Sequence, residues 1–149
     1  MNFSPHNYQS YAINYIETHP IAAVLLDMGL GKTVISLTAI ADLLFDSFEA
    51  HRILVVAPLR VARDTWPAEI AKWEHLQHLT YAVCVGTPKE RRAALMSGAD
   101  ITIINRENLG WLIDSTARTV LSCLYACFLM IRRPPRSTLF PYTPLFRSA

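Results

Sequence analysis

No two acidic residues stand side by side anywhere in this 149-residue chain, and after Asp114 there are none at all. That absence excludes chemistry built on a contiguous carboxylate pair. Cysteine is scarce: Cys84, Cys123 and Cys127 do not make a disulfide framework. The Cys123/Cys127 spacing lacks the companion His or Cys pair that a zinc site needs. Long hydrophobic runs are missing too. The longest, residues 120–131, spans 12 residues, well short of the roughly 20 that cross a bilayer. The N-terminus has no basic-then-apolar leader, so a reducing cytoplasm is the expected compartment. No internal repeat is present.

Charge is unevenly placed, and the formal net charge of +2 hides this. Residues 1–114 hold nine Lys and Arg against all twelve Asp and Glu, whereas residues 115–149 hold five Arg and no acid. The first part is therefore mildly acidic, and bulk charge gives no support for nucleic-acid binding. The length suits a single core.

Hydrophobic periodicity divides residues 1–114 into alternating elements. Residues 6–18 place Ala12, Ile13 and Ile16 at helical spacing, and Pro20 closes that helix. Residues 21–26 form a continuous apolar run suited to a buried strand. Residues 33–45 carry Val34, Leu37, Ile40, Ala41 and Leu44 on one helical face. Strands are expected at 52–57, 80–85 and 100–104. Helices are expected at 61–73, 88–96 and from Asn105 or Arg106 towards Ile113. Pro67 predicts a kink or two abutting short helices within 61–73. Such β-α alternation implies an α/β fold, a mostly parallel sheet with helices on both faces.

The most informative stretch is Asp27-Met28-Gly29-Leu30-Gly31-Lys32-Thr33, between the apolar run and the amphipathic helix. Gly29 and Gly31 let the backbone close around phosphate oxygens where a Cβ would clash. Successive N–H groups then form an anion nest at the positive end of the following helix. In a phosphate-binding loop of this kind Lys32 reaches the β- and γ-phosphates, and the Thr33 hydroxyl sits on Mg²⁺. The strict pattern is not met, because Leu26 occupies the first glycine position.

At these residues the chain resembles the Swi/Snf-type branch of superfamily-two helicases and DNA translocases, especially the small versions carried by bacterial prophages. Pro5-His6-Asn7-Tyr8-Gln9 resembles the family's upstream adenine-reading element, with Gln9 meeting the adenine edge through its two complementary amide groups. Ala57-Pro58-Leu59-Arg60-Val61, followed by Trp66 and Lys72-Trp73, resembles the motif that contacts the nucleic-acid backbone. Ile101-Thr102-Ile103-Ile104-Asn105-Arg106-Glu107-Asn108 resembles the next strand-end element. The resemblance covers roughly residues 4–114.

It implies a partial, truncated RecA-like P-loop lobe that binds ATP with Mg²⁺, in a bacterial or phage-encoded cytoplasmic protein whose parent moves on DNA. It implies no membrane, and no obligate protein partner follows from it. The implied cofactor-binding residues are Gln9, Asp27, Met28, Gly29, Leu30, Gly31, Lys32 and Thr33, with Lys32 the catalytic one. Arg60, Arg63, Asn105 and Arg106 are the implied nucleic-acid contacts. From the residues themselves, Trp66 and Trp73 read as core anchors, Lys89-Glu90-Arg91-Arg92 as a solvated helix face, and His75 and His78 as surface residues.

ATP hydrolysis in this family uses an adjacent Asp-Glu pair, one acid on Mg²⁺ and the other on the attacking water. That pair, the second motor domain and its arginine finger are all missing here. The chain thus reads as the N-terminal part of an ATP-binding lobe over residues 1–114. Residues 115–149 hold Pro134, Pro135, Pro141 and Pro144 and lose all hydrophobic periodicity. Residues 127–148 resemble translated sequencing-adapter read-through, which implies a foreign segment; an Arg/Pro-rich disordered tail is the rival reading. Two other functional classes stay open: a non-catalytic nucleotide- or nucleic-acid-binding module, and a different P-loop enzyme such as a transport ATPase or kinase.

Overall fold

A computed structural model of the chain describes residues 1–116 and 126–129. In order along the chain lie α1 (Asn7–Thr18), α2 (Lys32–Ala41), β1 (Ile53–Ala57), α3 (Trp66–Lys72), β2 (Tyr81–Cys84), α4 (Pro88–Met96), β3 (Ile101–Asn105), α5 (Leu109–Thr116) and β4 (Ala126–Leu129). The strands form one sheet in the order β2-β3-β1-β4, and each neighbouring pair is parallel. Parallel ladders need a crossover between strands, and the helices between them supply it. The expected α/β fold with a parallel sheet is observed.

Alternation along the buried strands assigns each side chain to a face. Ile53, Val55, Ala57, Ile101 and Ile103 point to one side, where Val34, Leu37 and Ile40 of α2 and Trp66 and Ile70 of α3 pack on them. Leu54, Val56 and Ile104 point to the other, against Leu95 of α4 and Leu112 of α5. Strands covered on both faces must read as continuous apolar runs, which is why β1 and β3 were visible in the sequence. A third cluster, Ala12 and Ile13 with Ile35 and Ala39, fixes α1 on α2. Asp100 ties the entrances of β2 and β3 together, since its Oδ2 accepts from Thr80 N–H at 2.9 Å and Thr80 Oγ1–H at 2.6 Å.

Residues 21–26 are the main departure. They form no strand: β3 and β4 take both edges of β1, and the run adds to neither outer strand of the sheet, β2 or β4. Val24 and Leu26 still tuck against the α1–α2 cluster, while Ile21 is 89% exposed. The helix read at 61–73 divides into a π-helical turn, Val61–Thr65, and α3. Pro67 explains the division, because it has no N–H to return to the preceding turn. The helix after β3 opens with a 3₁₀ turn, Arg106–Asn108. Ala126–Leu129 lies inside the segment whose composition changes, and its backbone pairs with β1 from Ile53 to Val56. The rest of residues 117–149, including Cys123 and the proline-rich run, lies outside the described residues.

Candidate functional site

The stretch between residues 27 and 33 is a turn held by two left-handed glycines, Gly29 at φ +84° and Gly31 at φ +74°. Gly31 is also the residue that opens α2, with Lys32 and Thr33 the first two residues of the helix. The positive end of α2 therefore faces the turn. At Gly29 an added Cβ would meet nothing within 4 Å, so that position is governed by φ alone.

Lys32 Nζ donates to Leu26 O at 3.0 Å and to Asp27 O at 2.8 Å. The ammonium group is thus folded back on the carbonyls that enter the turn. Leu30 O is gripped from the other side: Tyr8 Oη–H donates to it at 3.3 Å and Gln9 Nε2 at 3.4 Å. Gln9 Oε1 accepts from the His6 backbone N–H at 2.9 Å, which closes the first turn of α1. Gln9 is 7% exposed. Its amide still has one N–H and one oxygen lone pair beyond these bonds. Tyr8 is a contact that sequence reasoning passed over; its place beside Gln9 was the available signal.

These groups line a cleft of about 640 Å³, bounded by Met1–Ser4 on one side and by α2 and the end of α3 on the others. That volume lies within the roughly 300–1,000 Å³ of small-molecule sites. Glu69, Lys72 and Trp73 line the same cleft, three residues that recur on one face of a helix at i, i+3 and i+4. Trp73 Nε1–H donates to Glu69 Oε2 at 2.7 Å, and Lys72 Nζ lies 4.7 Å from the Trp73 ring centre. Phe3 packs edge-on against Trp73 at 5.4 Å and stacks on His75 at 5.2 Å. His75 is therefore no surface residue: its Nε2 is 3.0 Å from Thr38 Oγ1, and burial lowers its pKa. Trp66 is fully in the core, whereas Trp73 is half-buried at the cleft.

The remaining sequence candidates lie elsewhere. Ala57 and Asn105 are in register, so Arg60 and Arg106 follow the carboxyl ends of neighbouring strands. Both are exposed, and α/β sheets place ligands at that end. Arg63 pairs with Asp64 at 3.0 Å on the surface. Asn105 is buried and committed to its own turn, its Nδ2 donating to Glu107 Oε2 at 2.7 Å and its Oδ1 accepting from Asn108 Nδ2. Arg91 departs from the solvated face read for residues 89–92. It is only 9% exposed and lies 4.3 Å above the Trp111 ring. Among the described residues no group of three or more His, Cys, Asp or Glu side chains could hold a metal ion, and no helix is long and apolar enough to cross a membrane.

Comparison with known proteins brings two matches. The family described as the SNF2-related domain matches residues 13–124. Protein p41 of Acyrthosiphon pisum secondary endosymbiont phage 1 is 41% identical over 113 residues. Those residues are 75% of this chain and 25% of the phage protein, so the chain spans about a quarter of that relative's length.

Proposed function

The chain belongs to the SNF2-related domain family, a family of Swi/Snf-type helicases and translocases, and from that membership we propose that residues 1–114 are the ATP-binding part of a DNA-dependent motor lobe. The observation that carries the reading is the turn itself, two left-handed glycines delivering Lys32 and Thr33 to the start of α2. Gly29 presents open backbone with no side chain to fill the cradle, which fits an incoming phosphate group.

On this reading Lys32 exchanges the carbonyls of Leu26 and Asp27 for the β- and γ-phosphate oxygens. Neutral acceptors would give way to charged ones, turning a charge-assisted bond into an ion pair. Asp27, Met28 and Leu30 would supply turn backbone around the phosphates, and Thr33 would hold the Mg²⁺ that accompanies the nucleotide. Gln9 offers its remaining donor and acceptor to the base edge. Bound Mg²⁺ neutralises phosphate charge. Without an adjacent acidic pair the chain binds ATP and does not turn it over.

The parent protein, several times longer if it matches its phage relative, would couple hydrolysis to movement along DNA in the cytoplasm of a bacterial host. Arg60 and Arg106, at the carboxyl end of the sheet, are its proposed backbone contacts on this lobe, joined less directly by Arg63 and Asn105. We assign the segment beyond residue 124, where the family match ends, as foreign to this lobe; an edge of β1 accepts any extended apolar segment, because ladder bonds are made by backbone.

Titration with ATP–Mg²⁺ tests the proposal. Wild-type protein should bind and Lys32→Ala should not; unchanged affinity in the variant rejects the assignment. The uninterrupted parent gene is a second check, expected to encode an adjacent Asp-Glu pair downstream of the family match.

A further inference from the structure

We infer that Trp73 and Glu69, at the end of α3, form the wall that receives the nucleobase end of the bound nucleotide. The inference rests on the nucleotide reading of the turn and extends it to residues that no motif assigns. Both side chains line the cleft that Gly29, Gly31 and Lys32 open into. Gln9, whose remaining amide groups the base edge would use, lines the same cleft.

The chemistry of the wall suits a flat base bearing an exocyclic amino group. Trp73 is held from three sides: its N–H is bonded to Glu69, Phe3 makes a T-shaped contact with it, and the Lys72 ammonium lies over its ring. An aromatic ring fixed in this way loses little freedom when a base packs on it, and its π face already attracts a partner. Lys72 is an exposed side chain on a flexible stem and is the group a base would displace. Glu69 gives one oxygen to the indole N–H and holds the Lys72 ammonium at 3.7 Å with the other; displacing Lys72 frees that oxygen to accept from the amino group of the base. No other acidic side chain lines the cleft.

The decisive comparison is between ATP and inorganic tripolyphosphate, which share the phosphate chain but not the base, titrated in Mg²⁺ against the full 149-residue protein. Trp73→Ala should weaken ATP about tenfold, the lower range of measured base-stacking contributions, and leave tripolyphosphate within about twofold. Since Trp73→Ala also removes a partner of Phe3, Trp73→Phe provides a variant that keeps the packing. ATP, but not tripolyphosphate, should change the tryptophan emission of the wild type, and Trp73→Phe should abolish that change. Equal loss of both ligands in Trp73→Ala, or an emission change that survives Trp73→Phe, overturns the wall. Wild-type protein that binds tripolyphosphate as tightly as ATP also overturns it while sparing the phosphate loop. Wild-type protein that binds neither overturns both.

Discussion

The amide nitrogen of Gln9 occupies the space that a side chain on Gly31 would need: a Cβ built on Gly31 would stand 2.8 Å from Gln9 Nε2. Helix α1 and the turn before α2 are therefore fitted to each other at a residue without a side chain. Gly31→Ala must adopt a left-handed φ that alanine resists and must also push Gln9 off Leu30 O. Gly29→Ala meets only the first of these. Backbone strain of this kind costs about 1–3 kcal/mol. Both variants should melt lower than wild type, and Gly31→Ala should be the one that also releases α1, seen as faster amide exchange at its first turn.

Lys32→Ala should loosen the turn even without nucleotide. The side chain bonds two carbonyls, Leu26 O and Asp27 O, six and five residues back along the chain. Amide exchange over residues 26–31 should rise in the variant, while β1 and β3 keep their wild-type protection. Unchanged exchange in the turn would mean that the lysine does not hold it.

Stability should depend on pH through Glu17. Its carboxyl is pushed up to about 7 by burial first, then by a hydrogen bond that its protonated form donates to Asp42 and by the charges of Asp42 and Asp46. The folded chain keeps a proton that the unfolded chain releases near its ordinary 4.5. The associated stability is complete below that lower value and is lost as pH rises through the higher one. His75, lowered by burial, acts in the opposite sense, with stability lost on acidification. The difference between wild type and Glu17→Gln isolates the first group. The variant should melt above wild type at about pH 8 and show the smaller fall in Tm between about pH 5 and 8.

Helix α4 should depend on its cap. Thr87 Oγ1 accepts from Glu90 N–H at 3.4 Å, while Glu90 Oε2 accepts from Thr87 N–H at 2.7 Å, with Pro88 at the first helical position. The Thr87 N–H, and the Thr87 hydroxyl that donates to Glu90 Oε2 at 2.8 Å, hold the Glu90 carboxyl below its ordinary pKa. Thr87→Ala should cost about 1 kcal/mol in denaturant unfolding, with Thr87→Ser close to wild type.

Cys84 should resist alkylation in the native state. Its thiol is fully buried, and burial pushes its pKa up to about 11 against a smaller opposing influence of Arg91. In a Cys123→Ser/Cys127→Ser background, modification should track global unfolding. Rapid labelling of the folded protein would show that the α4 side of the sheet opens locally.

What could be read from the chain alone follows from where each signal is stored. β1 and β3 announce themselves because burial on both faces demands apolar residues, at every position from Ile53 to Ala57 and at all but Thr102 from Ile101 to Ile104. The turn at Gly29–Gly31 was legible because left-handed backbone and a lysine-threonine helix start are local requirements. Residues 21–26 misled because hydrophobicity says that a segment wants cover and not whether a strand lies free beside it. Arg91 misled for the same reason: its position among Lys89, Glu90 and Arg92 reads as solvent, and only Trp111, twenty residues on, makes its burial tolerable. Glu69 and Trp73 carried helical spacing, but nothing local tells that Phe3 would bring the N-terminal segment across to them.

The order β2-β3-β1 has a consequence for the chain as it is made. β1 and β2 share no ladder; each is bonded to β3, which comes after both. Until residues 101–105 have left the ribosome, the two earlier strands have no partner with which to form sheet. Helices α1 and α2 can pair on their own contacts well before that. A nascent chain should thus carry the assembled glycine turn while its sheet is still unmade, and close into a single body only when β3 arrives between two waiting strands.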